Sequence, residues 1–410
     1  MEAVVPICSS SRGSGMSKVA KSSTRRKWLQ SMATLALCVA MPAAQAQAQP
    51  TAPLKIGVLG SFTGGAADIN KGELDGLKLK LKQIGYQIGD RQVELIVEDD
   101  GGDPGAGVTK MQKLVERDKV DMVVGPFLGH VVAATQEYVG KSGIPQLAMV
   151  GQIPENAKHP NSFVPGWNAV QLGRQMGQYA VNKLGYKTAV VISSKFAYGE
   201  RVSEGFIDGF QKAGGKIERE VYVPLGTADW GPFITGAPKA DSVFAATLGA
   251  DAIKLVKARH EYGQRDRLPL IGVISTVDGM LLPAMGSAAY GAVAVTHYLP
   301  ELDIPENRQF IEDFKKEYGK TPIGYYEALG YTIGQIIESA VTSSAGKTDP
   351  ASLVAGLNKV DLKTPQGNFR FDPQTRFPYM DYYFVKVVDK AGKPNFEIID
   401  VNRDVKPENN

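Results

Sequence analysis

Four histidines, His130, His159, His260 and His297, are the side chains of this sequence best suited to acid–base or metal chemistry, and their spacing supports neither. None belongs to an H-E-x-x-H element or to a pair at ligand spacing. The two cysteines, Cys8 and Cys38, both fall within the first 49 residues. The rest of the chain therefore has no thiol nucleophile, no disulfide and no thiolate metal site. There is no G-x-S-x-G elbow and no G-x-x-x-x-G-K-[ST] phosphate loop. The run Gly60-Ser61-Phe62-Thr63-Gly64-Gly65 lacks the G-x-G-x-x-G spacing that a dinucleotide requires. Glu98-Asp99-Asp100-Gly101-Gly102-Asp103 is acidic enough to raise the question of calcium. Without alternating oxygen ligands and a distal glutamate it reads as a strand end running into a capped helix. Lys254, Lys257, Arg259, Arg265 and Arg267 read as the solvated end of one helix. No catalytic residue, metal or cofactor is expected.

What remains is a set of short segments rich in aromatics, small residues and uncharged polar groups. They are Ser61–Ala67, Phe127–His130, Val150–Gln152, Lys195–Tyr198, Leu248–Gly249 and Ser275–Asp278. Such a composition suits a small, partly apolar ligand held by a few polar contacts. The candidate binding residues are Phe62, Phe127, Leu128, Gly129, His130, Val150, Gly151, Gln152, Trp167, Phe196, Tyr198, Leu248, Ser275, Thr276 and Asp278.

The elements around these segments alternate. Leu54–Gly60 reads as a buried strand, and Leu74, Leu77, Leu81 and Ile84 trace one face of a helix. Val93–Glu98 is the next strand, and Asp103-Pro104 starts a helix with Asp as N-cap and Pro at its first position. Strands at Met122–Gly125 and Ile144–Val150 enclose a further helix over Ala133–Lys141. The pattern restarts with helices over 169–184, 199–213 and 251–262 and strands over 188–193, 216–223, 242–247, 269–274 and 292–296. Parallel sheets with helices on both faces follow from such alternation, and each segment above falls at the carboxyl end of a strand, where open sheets bind ligands. The third stretch differs: helices over Pro305–Tyr318, Tyr325–Val341 and Asp349–Asn358, then a last strand, Tyr382–Val388, and a polar tail. With no sheet of its own it must cover a unit already built, so the chain crosses between units more than once.

The 410 residues are 43% hydrophobic and 22% charged, which excludes a mostly disordered chain. No apolar run reaches the ~18 residues that span a bilayer. The net charge is +3, but residues 1–49 hold six basic side chains and one acid, so the remainder is at −2. That leaves no electrostatic footprint for nucleic acid. The basic start, the apolar run Ser31–Met41 and the small residues Ala44-Gln45-Ala46 and Ala46-Gln47-Ala48 have the layout of a secretory signal peptide over 1–48. Thr24-Arg25-Arg26-Lys27-Trp28-Leu29 resembles a twin-arginine export motif, and an ordinary Sec signal with two arginines stands beside it. Met16 is an alternative start. A free mature chain in a bacterial periplasm is expected.

Leu54-Lys55-Ile56-Gly57-Val58 with Ser61-Phe62-Thr63-Gly64, Asp99-Asp100-x-x-Asp103-Pro104, Val124-Gly125-Pro126, Gly143-Ile144-Pro145, Tyr198-Gly199 with Gly205-Phe206, and Tyr318-Gly319-x-x-Pro322 together resemble the periplasmic solute-binding proteins of ABC importers. The branch they resemble binds leucine, isoleucine and valine, and the resemblance covers about residues 53–400. It implies a type I periplasmic binding protein fold: two doubly wound α/β lobes joined by a three-crossover hinge, with ligand trapped between them. The implied lobes are 53–166 with 298–366 and 167–297 with 367–402, followed by a polar tail at 403–410. It implies a monomeric receptor, not an enzyme, with the permease subunits of an ABC transporter as partners. The sequence departs from that branch where amino acids are held. Gly102 and Leu128 stand at a cysteine pair's positions, Gly129 and Gln152 replace the hydroxyls that hold the ligand carboxylate, and Ser275–Thr276 replace the acid that holds the ammonium. Asp278 is a nearby substitute. Leu282-Pro283-Ala284-Met285-Gly286 through His297-Tyr298 is similar to a subgroup associated with aromatic acids. A small apolar carboxylate, aromatic by preference, is therefore the expected ligand. An apolar or branched-chain amino acid and a ligand-sensing role are the alternatives.

Overall fold

The computed structural model describes residues 51–150, 158–319 and 323–408. The expected signal segment with Cys8 and Cys38, and the residues Gly151, Gln152 and Pro322, lie outside the described residues.

The first unit is a sheet with helices on both faces. In chain order its elements are β1 (Leu54–Gly60), α1 (Ala67–Gln83), β2 (Gln87–Ile88), β3 (Arg91–Asp99), α2 (Pro104–Gln112), β4 (Met122–Val124), α3 (Gly129–Ser142), β5 (Gln146–Leu147) and β6 (Ser162–Phe163). The sheet order is β2-β3-β1-β4-β5-β6, with only β2 antiparallel to its neighbour. The second unit repeats the theme with α4 (Ala169–Asn182), β7 (Thr188–Lys195), α5 (Ala197–Lys212), β8 (Lys216–Pro224), α6 (Gly231–Thr235), β9 (Ser242–Ala245), α7 (Gly249–Glu261), β10 (Leu270–Val273), α8 (Leu282–Met285) and β11 (Val293–Thr296). Its strands β8-β7-β9-β10-β11 are all parallel. β1 sits between β3 and β4, and β7 between β8 and β9, so the winding reverses beside each. A crevice opens at such a point, at the carboxyl ends of the strands.

The third stretch is built as its composition requires. After β11 come α9 (Pro305–Tyr318), α10 (Tyr325–Ser343) and α11 (Pro350–Leu357). Ile333, Ile336, Ile337, Ala340 and Val341 of α10 enter the core of the first sheet, and Leu353 and Leu357 of α11 join them. The chain then returns through β12 (Asp361–Thr364), β13 (Gly367–Phe371), β14 (Pro378–Lys390) and β15 (Lys393–Val405). These extend the second sheet beyond β11, with β14 antiparallel to it. Phe371 of β13 nevertheless meets Phe163 of the first core, ring centroids 5.0 Å apart.

The end of the chain differs from the sequence reading. The last strand is 13 residues long and pairs with a second of equal length, β15, which includes Arg403. The two are joined by Ala391 and Gly392 alone, at φ 52° and 78°. Two residues at positive φ make the tight hairpin whose twist matches paired strands. Alanine seldom sits there, so the turn left no signal.

Asp103 behaves as expected. It caps α2 by accepting from the Ala106 N–H at 2.7 Å, with Pro104 at the first helical position. Glu98 pairs with Lys110 and Lys113, and Asp99 serves the turn. Asp99 Oδ1 accepts from the N–H groups of Phe62 and Gly101, both at 2.9 Å, and Thr63 donates to its other oxygen at 2.8 Å. Burial works to raise this carboxyl, but the hydrogen bonds from Gly101, Thr63 and Phe62 outweigh it and hold it low.

Candidate functional site

Each segment named from the sequence, as far as it is described, lies at the carboxyl end of a parallel strand. The loop after β4 carries Phe127, Leu128, Gly129 and His130. Gly125 makes its turn possible: it sits at φ 97°, and a Cβ there would stand 1.9 Å from the Leu59 carbonyl oxygen. The loop is tied to the one after β3 because His130 Nε2 donates to the Gly102 carbonyl at 2.9 Å. Val150 is half-buried after β5. Trp167 is held at the entry to α4 by its neighbour Asn168, whose side chain accepts from the Val170 and Gln171 N–H groups at 2.9 and 3.3 Å. Phe196 and Tyr198 open α5 beyond β7, and Leu248, exposed, precedes α7 beyond β9.

The aromatic residues join into one chain of rings. Phe127 meets Tyr326 with centroids 5.4 Å apart, Tyr326 meets Tyr325 at 5.2 Å, and Tyr325 meets His297 at 4.3 Å. His297 stacks on Trp167 at 6.1 Å, Trp167 meets Tyr198 at 5.1 Å, and Tyr198 lies 5.8 Å from Phe196. The chain starts on a loop of the first sheet and ends on a loop of the second. Phe62 stands in the same recess of the first unit as Phe127.

Three members were not among the candidates: Tyr325, Tyr326 and His297. The two tyrosines begin α10, whose start is fixed by the Gly324 N–H donating to Glu327 Oε2 at 2.9 Å. They reach the site because α10 lies hard against α1. A Cβ on Gly76 would meet the Glu327 carbonyl oxygen at 2.0 Å, and one on Gly330 would meet the Glu73 carbonyl oxygen at 1.9 Å. That pairing brings a fourth unforeseen residue, Glu73, to the site.

The polar groups here are sparsely partnered. Among the described residues His297 has no hydrogen bond on either ring nitrogen, and burial pushes its pKa down to about 3, so the ring is neutral. The Tyr325 hydroxyl is buried without a partner among the described residues, and burial carries it well above the usual phenol range. Burial raises the Tyr198 phenol to about 12, with the Ser275 side chain acting against it. Asp278 is raised by burial, although the Met280 N–H donates to its Oδ1 at 2.8 Å. Tyr326 is raised first by burial and then by Tyr198, Glu73, Asp278 and Glu327, which places groups from both units around one phenol. Thr276 is committed elsewhere: its hydroxyl donates to the Ala245 carbonyl at 2.9 Å and accepts from the Thr247 N–H at 3.2 Å.

Cations are absent from the ring chain, but helix N-termini lie at the same strand ends. Helices α3, α5 and α7 begin after Leu128, Phe196 and Leu248, and none has a side-chain cap. Their first-turn N–H groups and their dipoles favour an anion at the crevice. The basic cluster of α7 plays no part, and it is not the wholly solvated helix end expected from the sequence. Arg259 is 1% exposed and donates from Nη1 to the Arg265 and Leu268 carbonyls, both at 3.1 Å. Its long stem turns inward because Leu268 and Leu270 follow in the core of the second unit.

The sequence profile of the periplasmic binding proteins matches residues 53–393. The chain belongs to the periplasmic binding protein family. It is similar to an ABC transporter substrate-binding protein from Sphaerobacter thermophilus, at 33% identity and a TM-score of 0.81, over 86% of this chain and 98% of that one. It is also similar to a solute binding protein of an ABC transporter from Rhodopseudomonas palustris BisB5, solved in complex with 3,4-dihydroxy benzoic acid. That likeness is 26% identity and a TM-score of 0.76, over 87% and 98% of the two chains. Among curated proteins it is 25% identical to Leu/Ile/Val-binding protein homolog 6 of Brucella melitensis, over 82% of this chain and 87% of that protein. The type I fold expected from the sequence is thereby shown. The family and these neighbours are substrate-binding transport proteins rather than enzymes. The family is extracytoplasmic, and among the described residues no helix is long and apolar enough to cross a membrane.

Proposed function

We propose that this periplasmic binding protein captures a small apolar carboxylate, aromatic by preference, between its two units and delivers it to the permease of an ABC importer. The observation that carries the reading is the ring chain from Phe127 to Phe196, flanked by the uncapped starts of α3, α5 and α7. An aromatic ring hiding about 200 Å² gains roughly 5 kcal/mol. Each charge-assisted hydrogen bond to the carboxylate adds roughly 1.5–3 kcal/mol. After association costs, a dissociation constant on the order of micromolar follows. The likeness to the Rhodopseudomonas protein with its bound dihydroxybenzoate supports the same ligand class.

A second reading, an apolar amino acid, is favoured by Asp278, an acid beside Tyr326 that pairs with no cation among the described residues and offers a partner to an ammonium. Calorimetry with benzoate, cinnamate, leucine and phenylalanine decides. The aromatic acids are expected to bind and the amino acids to bind weakly or not at all. Leucine binding without any response to an aromatic acid would shift the assignment to the second reading.

The lobes implied by the sequence, 53–166 with 298–366 and 167–297 with 367–402, close about the crossovers in this scheme, as a monomer. A two-state closure is driven only by ligand that prefers the closed form, hence by contact with both sides. Export by a signal over residues 1–48 belongs to the same proposal. N-terminal sequencing of secreted protein should find a start near Gln47 or Gln49, and an intact Cys38 would exclude it.

A further inference from the structure

Glu73 is a buried polar group of the first unit with no partner in the protein among the described residues. It lies mid-way along the first turns of α1, is 8% exposed, and its carboxyl makes no hydrogen bond or ion pair among the described residues. It faces a recess whose walls include Phe62, Leu74, Leu77, Phe127 and Met149. The other polar side chain there, Asn70, is engaged at both ends: its Oδ1 accepts from the Ser61 N–H at 3.0 Å and its Nδ2 donates to the Ala66 carbonyl at 3.0 Å. The recess has room for about one water molecule. Phe127, the first ring of the chain, is one of its walls, so the recess adjoins the ring chain. A buried carboxyl without a partner is costly unless a ligand or water completes it.

We propose that Glu73 reads a ring hydroxyl on the ligand, which makes the ligand of this chain a hydroxylated aromatic acid; the proposal rests on the aromatic-acid reading above. Size and stoichiometry of hydrogen bonding favour a hydroxyl over an ammonium. A hydroxyl matches one water in volume and needs one or two partners, which a single carboxyl supplies. An ammonium brings three donors and a full charge into apolar walls, with one residue to meet them. Burial raises Glu73 to about 8, so near neutral pH it is largely the uncharged acid, able to donate to or accept from a phenol and compatible with a ligand that carries its own negative charge.

The test is calorimetry of the mature protein with benzoate, the three monohydroxybenzoates and the methoxy analogue of the best isomer. At least one isomer should bind on the order of tenfold more tightly than benzoate, one hydrogen bond's worth. The methoxy analogue should lose that gain, being too large and lacking the donor. Glu73→Leu should remove the gain of the best isomer over benzoate measured in the same variant, and Glu73→Gln, which keeps both donor and acceptor, should retain most of it. If Glu73→Leu fails to fold, the methoxy comparison in the unaltered protein still decides. Benzoate binding with no isomer tighter, or a hydroxyl gain that survives Glu73→Leu, would overturn the proposal and leave the aromatic-acid reading standing. Phenylalanine binding that Glu73→Gln abolishes would overturn it in favour of an ammonium partner. No response to any aromatic acid would remove both.

Discussion

The ring of His297 meets that of Tyr325 edge to face, centroids 4.3 Å apart and planes at 82°. His297 directly follows β11 of the second sheet, and Tyr325 begins the helix that lines the first. This contact is therefore a direct side-chain link between the two halves of the site. An aromatic pair of this geometry contributes about 0.5–1.5 kcal/mol beyond its buried area. Tyr325→Phe keeps the ring and removes an unpartnered hydroxyl, so stability in urea should change by less than about 1 kcal/mol. Tyr325→Ala loses the ring and should cost about 3–5 kcal/mol, together with ligand affinity. Equal effects of the two changes would mean that the ring contact is not what links the units.

The same histidine and Glu73 give the protein opposite responses to pH. The Glu73 carboxyl has a folded pKa of about 8 against an ordinary 4.5. Between those values the folded chain binds more protons than the unfolded one, so its contribution to stability falls as pH rises. His297 is at about 3 against an ordinary 6.5. There the unfolded chain binds more protons, so stability rises with pH from about 3 to 6.5. Urea midpoints measured from about pH 4 to about pH 9 should show Glu73→Gln flattening the alkaline limb and His297→Asn flattening the acid limb. Parallel curves for either variant and the unaltered protein would contradict the burial assigned to that group.

Binding should depend on both sheets. Phe127→Ala on the first side and Tyr198→Ala on the second should each weaken ligand binding by about tenfold or more, since each removes a ring lining the site. Phe196→Ala, at the end of the chain, should cost less. Calorimetry measures the loss, circular dichroism checks that the fold survives, and small-angle scattering should show the unaltered protein compacting with ligand. An effect confined to one sheet would argue for a one-sided pocket and against closure.

Much of this site was legible because loop position carries information. Phe127, Trp167, Phe196 and Tyr198 stand where a strand has ended and the apolar periodicity of a core has not begun, and all four lie in the ring chain. Asp103-Pro104 announced a helix start, and Asp103 caps one. Tyr325 and Tyr326 gave no such signal, because they open a helix whose next residues, Leu329, Ile333 and Ile336, are plain core. Glu73 was less visible still. It sits in the polar run Asn70-Lys71-Gly72-Glu73, and its α1 turn is packed against α10, some 250 residues later in sequence. A pairing so remote leaves its trace in glycines spaced for close approach, Gly72 and Gly76 on one helix and Gly330 and Gly334 on the other. Those glycines read equally well as ordinary turn or flexibility signals.

That helix pair is the last and most direct test. Gly330 would bring a Cβ to 1.9 Å from the Glu73 carbonyl oxygen and 3.0 Å from its Cα, contacts with backbone that cannot swing aside. Gly330→Ala must push α10 away from α1, an overpacking that costs about 1–3 kcal/mol. The displaced helices carry Tyr325, Tyr326 and Glu73, so affinity for the ligand should fall further than for a distant change of equal stability cost. Gly65→Ala is the control: a Cβ there meets nothing within 4 Å, although the residue lies in the loop after β1. It should leave stability within about 0.5 kcal/mol and binding unchanged. Urea unfolding and calorimetry on the two variants separate the outcomes. If Gly330→Ala unfolds no more easily than Gly65→Ala, the close approach of α1 and α10 is not what sets the tyrosines in place.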